Sequence, residues 1–430
     1  MHGPDFDITI ENLSKIEGHT ALAVAVKDGR VSEVHLEINE NKRFFTQAIR
    51  GKPAISAPQT LSRICGTCSI AHHMCCIEAV ENAFGIVPSD QTMLLRHLLM
   101  NGLMIRDHAM HLYLFCLPDV FKKDSILDFS DKGTEHELIH KAFDIKSVGN
   151  AISTIVGGRA VHAPFPVVGG FIKIPKKEDL SALLPKLRAT RDAAIEFVDI
   201  FLNCRFSLEN EGAFVSLINR DYNFLGDELA TSLGICIPEH RFADYLAKSV
   251  IPYSQAPGFK FEGMPYSVGA LARMNLNGSS LRPETKQSLP KAISVFPSKN
   301  TFHNNLAQAI EVVQCIDASI AIIESFDPKP ETPLQVKPKA GTGVGVIEAP
   351  RGTLYYHLDV AQDGRVNRAN LVIPTSQNQI KMEKDIGVLV EQCLKRRMPR
   401  DKISLEIEKL IRAYDPCMSC ATHFLKVNWK

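Results

Sequence analysis

Two cysteine pairs, one near each end of this 430-residue chain, constrain its fold more than any other feature. Each pair has the form C-x-x-C and is followed by a histidine: Cys65, Cys68 and His72 in the first, and Cys417, Cys420 and His423 in the second. Together they offer four thiolates and two imidazoles, a soft ligand set that suits a transition metal. If both pairs bind one metal centre, the fold must bring together segments that lie roughly 350 residues apart.

Three kinds of site are consistent with this spacing. Zinc is the usual occupant of a four-thiolate site, but zinc ribbons place their two pairs about 15–20 residues apart. Disulfides or thioredoxin-like redox motifs are the second alternative, although neither pair lies in a βαβ pattern. A catalytic metal held between the two ends of the chain is the third. The spacing favours this third kind of site and leaves the other two open.

The residues around the cysteines resemble the two signature motifs of the [NiFe]-hydrogenase large subunit. R-x-C-G-x-C-x-x-x-H and D-P-C-x-x-C-x-x-H are both matched in full and in the right order. Six further segments resemble motifs of the same family, with Lys15 in place of an arginine before the first: residues 16–19, 107–113, 157–170, 266–273, 348–352 and 373–375. The resemblance therefore extends from about residue 8 to residue 423.

The resemblance implies a catalytic subunit that splits H2 reversibly and heterolytically at a nickel–iron cluster. Nickel would be held by the four cysteines, and Cys68 and Cys420 would bridge to an iron that carries CO and cyanide. The proton released needs a base and a route to solvent. Cys417 and Arg351 are the candidate bases, and Glu17 is the next relay. Because a guanidinium pKa exceeds 12, Arg351 could equally act by its charge alone.

Further residues are expected to surround the cluster. The resemblance implies that Asp107 and Asp415 hold Arg351 in place and that His72 donates to a cluster sulfur. Pro350 and Thr375 would join Arg351 around the cyanides. Three other histidines in the motifs are expected to be structural: His108, His111 and His162.

Two features depart from the family pattern. Many members bind magnesium near the C-terminal histidine through a glutamate, and the aligned residue here is Thr46. A neutral hydroxyl cannot replace a carboxylate for a hard cation, so magnesium is doubtful although His423 remains. The chain also ends in a short tail, residues 424–430, which we expect to be retained rather than removed during maturation.

Composition narrows the class of protein. A formal net charge of +1 gives no basic surface for nucleic acid, and no run approaches the ~18–20 uninterrupted apolar residues of a membrane helix. Residues 310–323 come nearest, but polar residues interrupt them and favour a buried helix. The chain starts without a signal-peptide pattern and contains eleven cysteines, an odd number. We therefore expect the protein to lie in the reducing cytoplasm, where its thiols stay free. Seven cysteines are expected to be small core residues: Cys75, Cys76, Cys116, Cys204, Cys236, Cys315 and Cys393.

The pattern of apolar residues predicts a mainly α fold with small β-sheets (α+β), and the resemblance implies a large helical-bundle core. We expect one domain over residues 1–430: an N-terminal β element (1–45), a mainly helical core (46–340), a mixed segment ending in the second cysteine motif (341–423) and the tail. Helices are predicted over residues 68–83, 91–117, 178–205, 226–248, 300–325, 380–397 and 404–412. Strands are predicted within 7–40, 344–347 and 354–358, and loops over 121–135, 251–269 and 326–345.

Electrons would have to leave through partner proteins, because the chain has no further cysteine cluster for iron–sulfur centres. The resemblance implies an iron–sulfur small subunit, followed by diaphorase or ferredoxin-like subunits. An H2 sensor of the same fold is one alternative, and the catalytic subunit of a membrane-attached energy-converting hydrogenase is another. The related quinone-site subunit of respiratory complex I lacks the cysteines, so the four intact ligands argue against it.

Overall fold

The computed structural model describes residues 5–40, 44–209, 211–226 and 228–422. Its first element is the predicted antiparallel sheet, with strands β1 (Phe6–Ile10), β2 (Thr20–Lys27) and β3 (Arg30–Ile38) in the order β1-β2-β3. Alternate residues of β2 are buried, as expected of a strand with one face on the core. Asp28 and Gly29 make the turn to β3 with φ of 51° and 73°.

Helices make up most of the chain from the first sheet to residue 202. They are α1 (Phe45–Ile49), α2 (Ala57–Leu61), α3 (Ser69–Phe84), α4 (Asp90–Ala109), α5 (Leu117–Val120), α6 (Gly133–Gly157), α7 (Lys177–Ser181) and α8 (Leu184–Leu202). A π-helical segment, Met110–Cys116, joins α4 to α5, and the short strands β4 (Pro166–Val167) and β5 (Gly170–Phe171) precede α7. The predicted helices over 68–83, 91–117 and 178–205 are confirmed. Helix α6 has no predicted counterpart, and it begins inside the predicted loop over 121–135.

The helix predicted over residues 226–248 is wrong, because this segment forms three strands and one short 3-10 helix, Glu239–Asp244. The strands of this region are β6 (Ala213–Ile218), β7 (Glu228–Thr231), β8 (Cys236–Pro238), β9 (Leu246–Ser249), β10 (Gly258–Phe261) and β11 (Tyr266–Ser267). One sheet has the order β11-β6-β7-β8, and β9 pairs with β10. Gly234, with φ of 80°, lies in the turn between β7 and β8, and Pro238 lacks the N–H that a helix interior donates. The predicted loop over 251–269 likewise contains β10 and β11.

Helix α12 (His303–Ser325) follows α9 (Ala270–Asn277), α10 (Pro283–Ser288) and α11 (Pro290–Ile293) and forms the centre of the helical core. It packs against α4, α8 and α9, and α4 packs against α6. Among the described residues, α12 is the one helix long and apolar enough to cross a membrane, but 78% of its most apolar window is buried inside the fold. The prediction that residues 310–323 form a buried helix is therefore confirmed. The prediction of a mainly α fold with small β-sheets is confirmed as well.

The C-terminal part begins with a meander of β12 (Gly341–Ala349), β13 (Gly352–Val360) and β14 (Val366–Val372). Three glycines of β12 lie against α3, where a Cβ would collide with carbonyl oxygens one turn apart: Gly341 with Ala83, Gly343 with Ala79 and Gly345 with Cys75. Two strand residues rise ~6.6 Å and four helical residues rise ~6.0 Å, so the two backbones stay nearly in register over these three contacts. This contact directs the β12–β13 turn toward the start of α3, where Cys68 lies.

Three helices complete the described chain: α13 (Pro374–Lys395), α14 (Arg400–Ala413) and α15 (Met418–Ala421). They confirm the predicted helices over 380–397 and 404–412, while β14 has no predicted counterpart. Of the seven cysteines outside the pairs, five are buried as expected and Cys204 is half-buried. The prediction is wrong for Cys236, which is exposed because it lies on β8 at the edge of its sheet.

Candidate metal centre

The four cysteines of the two pairs meet at the N-terminal ends of two helices. Cys68 immediately precedes α3, and Cys417 immediately precedes α15. Although hydrogen bonds with Cys417 and Cys420 lower it, the contact with Cys65 and burial raise the pKa of Cys68 above its ordinary value. The fold thus joins the two ends of the chain at one point, as the cysteine spacing requires of a shared centre.

The sulfur atoms are close enough to bind one metal centre. All four Sγ atoms lie within 4.8 Å of one another, and all four residues are buried. The Sγ of Cys65 lies 3.5 Å from that of Cys417, and the Sγ of Cys68 lies 3.3 Å from that of Cys420. A metal bound at about 2.3 Å from each sulfur requires separations of this size. Within the described residues, no other group of three or more metal-ligand residues is found.

The protonation of the cysteines depends on their mutual contacts. Hydrogen bonding from Cys417 holds the pKa of Cys65 well below its ordinary value, whereas burial raises that of Cys417 well above it. One thiolate is therefore stabilised by its neighbours, while another keeps its proton. A bound metal cation would displace the remaining protons, since the thiolate is the form that binds metal.

A small cavity adjoins the sulfurs on one side. Its walls are formed by three of the cysteines and by residues of α3, the β12–β13 turn and the start of α13: Cys68, His72, Ala349, Arg351, Leu354, Ile373, Pro374, Thr375, Cys417 and Cys420. The expected Pro350 is not among these lining residues, and its carbonyl oxygen accepts a hydrogen bond from Arg273 instead. Its chain neighbours Ala349 and Arg351, together with Pro374, take part in the wall.

Arg351 lies over this cavity between two buried carboxylates. Its Nη1 is 3.0 Å from Oδ1 of Asp107, and its Nη2 is 3.0 Å from Oδ1 of Asp415. Although burial lowers it, these two carboxylates hold the pKa of Arg351 well above its ordinary value. The structure therefore favours a permanently charged Arg351.

The guanidinium of Arg351 also has unused hydrogen-bonding capacity. Among the described residues, its Nε, Nη1 and Nη2 are buried without an aligned hydrogen-bond acceptor, despite the two ion pairs. Buried donors left without partners cost about 1–3 kcal/mol each. An electron-rich ligand in the adjacent cavity would satisfy them. The four sulfurs, the cavity and these donors together fit a metal centre that carries negatively polarised ligands.

Glu17 is in direct contact with the second cysteine pair. The Sγ of Cys417 donates to Oε2 of Glu17 at 3.0 Å, and the backbone N–H and hydroxyl of Ser419 donate to the same carboxylate at 3.1 and 2.5 Å. The carbonyl oxygen of Glu17 accepts from the N–H of Met418 at 3.0 Å. Ser419 has no predicted role, and the sequence offers no signal for it beyond its place between the paired cysteines.

Thr375 and His72 both line the cavity beside the sulfurs. That His72 donates to a cluster sulfur and that Thr375 surrounds the cyanides remain predictions. The Oγ1 of Thr375 accepts from the N–H of Cys417 at 2.9 Å, and so orients the loop that carries this cysteine. The Nδ1 of His72 lies 2.6 Å from the hydroxyl of Tyr356 on β13. Tyr356 has no predicted role, since a tyrosine in a strand is ordinarily a core residue.

A buried polar network holds the turn that carries Arg351. Arg273 pairs with Glu311 at 2.6 Å and with Glu348 at 2.8 Å, and its guanidinium also donates to the carbonyl oxygens of Ala349 and Pro350. His108, expected to be structural, contacts Glu311 through Nε2 at 2.8 Å. The backbone N–H of His162 donates to Ser69, the first residue of α3. Arg273 is recognisable in the sequence only through the motif at 266–273.

Of the residues behind the two predicted departures, the structure describes Thr46 but not residues 423–430. Thr46 lies on α1 at a polar cleft that also includes Arg50, Lys248 and Arg368. His423 and the tail over residues 424–430 lie outside the described residues. The predictions on magnesium and on retention of the tail therefore remain predictions.

Comparison with known families and relatives gives consistent results. A family model described as nickel-dependent hydrogenase matches residues 43–141 and 239–423. The alpha chain of sulfhydrogenase 1 from Pyrococcus furiosus is 34% identical over 428 residues, which cover 98% of each chain. One component of the F420-non-reducing hydrogenase from Methanothermobacter marburgensis is 29% identical over 453 residues, covering 97% of this chain and 94% of that component.

Solved structures show the same fold. An NAD+-reducing [NiFe]-hydrogenase in the H2-reduced state has a TM-score of 0.85 and 24% identity, covering 97% of this chain and 99% of that chain. The Ni-Fe-Se hydrogenase from D. vulgaris Hildenborough has a TM-score of 0.77 and 21% identity, covering 98% of this chain and all of that chain.

Proposed function

This chain belongs to the nickel-dependent hydrogenases, and we propose that it is the catalytic subunit that splits H2 reversibly into protons and electrons. The observation that carries this proposal is the four-sulfur group beside a cavity closed by Arg351. A structural zinc site has no need of an adjoining cavity or of unmatched buried donors, whereas a catalytic metal needs an open position.

Cys65, Cys68, Cys417 and Cys420 would hold nickel, and Cys68 and Cys420 would also bind an iron on the cavity side. Both of these cysteines line the cavity, as Cys417 does, so the cavity adjoins the sulfurs that would hold the iron. The cavity would accept CO and cyanide ligands, with the N–H groups of Arg351 as donors. When bound, this metal pair supplies the open position at which H2 is polarised and split.

The residues of this chain would move the proton away from the metals. Cys417 would receive it at Sγ and pass it to Oε2 of Glu17, an atom already within hydrogen-bond distance at 3.0 Å. Ser419 keeps the Glu17 carboxylate oriented toward this sulfur. Arg351 would act through its charge, since its two carboxylate partners keep it protonated.

Electrons would leave through other subunits of a cytoplasmic complex. The relatives are themselves named as subunits of hydrogenases, which supports the presence of partners. We assign the first partner as an iron–sulfur small subunit, followed by diaphorase or ferredoxin-like subunits. Magnesium is not assigned, because Thr46 offers a hydroxyl where the resemblance implies a carboxylate.

The test is to purify the native complex anaerobically and measure its metals, its infrared spectrum and its H2-dependent reduction of a dye. We expect one nickel atom per complex, an excess of iron because the proposed partner subunits carry iron–sulfur centres, CO and cyanide stretching bands, and rapid dye reduction. A Cys417→Ser variant should lose the metals and the activity, whereas a Cys393→Ala variant, changed at a buried cysteine remote from the centre, should keep both. Zinc in place of nickel, with no CO or cyanide bands, would overturn the proposal.

A further inference from the structure

His111 is a buried histidine whose two ring nitrogens both contact oxygen atoms. It is 1% exposed and lies in the π-helical segment Met110–Cys116, just after α4. Its Nδ1 is 2.6 Å from Oε1 of Gln308 on α12, and its Nε2 is 2.7 Å from the carbonyl oxygen of Arg412 on α14. π-Helical segments occur often at functional sites, because they turn side chains away from the α-helical register.

The polarity of these contacts determines the charge of His111. The Nε2 of Gln308 donates to Oδ2 of Asp415 at 2.9 Å, and a carboxylate can only accept. The amide must therefore present its NH2 group to Asp415 and its oxygen to His111. The Sγ of Cys116 also lies 3.3 Å from the Nε2 of His111, but the carbonyl oxygen of Arg412 is nearer, at 2.7 Å, and can only accept. Since this carbonyl oxygen and the oxygen of Gln308 both accept, both ring nitrogens of His111 must donate. His111 is therefore an imidazolium cation.

The electrostatic surroundings agree with this charge. Burial lowers the pKa of His111, but the carboxylate of Asp415 and the hydrogen bonds to Cys116 and Gln308 raise it to about 10. The Nε2 of His111 lies 3.8 Å from Oδ1 of Asp415, and the same oxygen lies 3.0 Å from Nη2 of Arg351. One carboxylate oxygen thus lies between two buried cations.

We propose that His111 is a positioning residue, which acts through Gln308 and Asp415 to hold Arg351 over the metal cavity. Its Nδ1–H fixes the orientation of the Gln308 amide, which then donates to Asp415. Asp415, attracted to His111 on one side, is held in place to pair with Arg351. Asp107 reaches Arg351 from the last turn of α4, four residues before His111, so one continuous helical segment supports both carboxylates.

This role differs from the structural one expected from the sequence. A structural histidine would only join the π-helical segment to α12 and α14, and any neutral donor of similar size could replace it. A positioning histidine must be charged, and its effect must pass through the amide of Gln308. The inference rests on the proposed function for the importance of Arg351, but the charge of His111 can be measured on the chain whatever metal it binds.

The first experiment measures this charge directly. The full chain is labelled with 15N-histidine, and the ring nitrogens are observed by NMR near pH 7. We expect a histidine with both nitrogens protonated whose signals disappear in His111→Gln. A neutral ring at position 111 would overturn the inference. A zinc-loaded or metal-free chain would give the same result, so failure of the proposed function is separable from failure of this inference.

The second experiment tests the path through Gln308 in the metal-loaded complex. Gln308→Glu keeps an acceptor for His111 but places a second carboxylate next to Asp415. If His111 positions Arg351 through Gln308, the cyanide infrared bands should shift both in this variant and in His111→Gln. H2/D+ exchange should fall about 10- to 100-fold, as for other residues that orient metal ligands. His73→Gln is the matched control, because His73 is equally buried but contacts the carbonyl oxygen of Pro166.

Bands that stay at their wild-type positions in both variants would overturn the inference, as would an equal loss of exchange in His73→Gln. If His111→Gln does not assemble, Gln308→Glu and the NMR measurement on the wild-type chain still decide between the two roles.

Discussion

The thiol of Cys417 lies 3.0 Å from Oε2 of Glu17, although the two residues are separated by 400 positions in the chain. The contact is fixed from both sides. The backbone of Glu17 pairs with the segment after Cys417, and Ser419 donates twice to the carboxylate. A proton that reaches this sulfur therefore has an acceptor in direct contact.

Replacing Glu17 by glutamine removes this acceptor while keeping the shape of the side chain. The amide oxygen can still accept from Ser419, so the fold and the metal content should be unchanged. H2-dependent dye reduction should fall by about 100- to 10,000-fold, the usual contribution of a proton-transfer group. Glu137→Gln, at an exposed position on α6, is the control and should retain activity. A Glu17→Gln complex with wild-type turnover would rule out this route.

Replacing Arg351 by lysine tests the two ion pairs over the cavity. A lysine ammonium is a single point charge and cannot reach Asp107 and Asp415 with a planar fork. One buried carboxylate is then left poorly paired, and we expect a lower unfolding temperature. Activity should fall about 100- to 1,000-fold, as when a positioned donor is removed from an active site. Thermal unfolding and dye reduction of the purified complex check both effects, and unchanged values in both would contradict the assignment.

The metal centre is the part of the structure that the sequence predicts best, because cysteine spacing and flanking motifs carry its chemistry directly. The four sulfurs meet as the C-x-x-C pairs require, and Glu17, Arg351, Asp107 and Thr375 lie around them. The residues that hold these groups have no predicted role. Ser419, Tyr356 and Gln308 act through side chains brought close by tertiary packing, and such contacts leave no local pattern in the chain.

The failures of secondary-structure prediction also have physical causes. Residues 226–248 contain enough apolar residues for a helix, but Gly234 and Pro238 break it, and the strands are stabilised by pairing with β6 and by burial. The partner strand β6 lies outside the window, so its contribution is invisible to local periodicity. Helix α6 lacks a side-chain cap at Lys132, and it forms because its apolar face packs on α4.

The contact between β12 and α3 gives a prediction on stability. In Gly343→Ala, the new methyl group would collide with the carbonyl oxygen of Ala79, and the strand would have to move away from the helix. We expect a loss of about 1–3 kcal/mol, typical of overpacking, and reduced metal loading because the turn with Arg351 shifts. Gly278→Ala is the matched control: its helical backbone and open surroundings accept a methyl group. Equal unfolding temperatures for the two variants would contradict this account.

Glu311 gives a prediction on acid stability. Burial raises its pKa, but Arg273 and His108 lower it more strongly, to about 2. Because the folded pKa lies below the unfolded value of about 4.3, the carboxylate contributes stability above pH ~4.3 and loses it as the pH falls toward 2. Glu311→Gln leaves the buried Arg273 with one carboxylate fewer, so it should unfold about 3–5 kcal/mol more easily near neutral pH. This difference should shrink as the pH falls from about 4.3 to 2, measured by denaturant unfolding of the metal-free chain. The control is Glu196→Gln, which removes an exposed ion pair with Lys141 and should change the free energy of unfolding little at any pH. If the loss of stability in Glu311→Gln were independent of pH, the charge of Glu311 would not stabilise the fold.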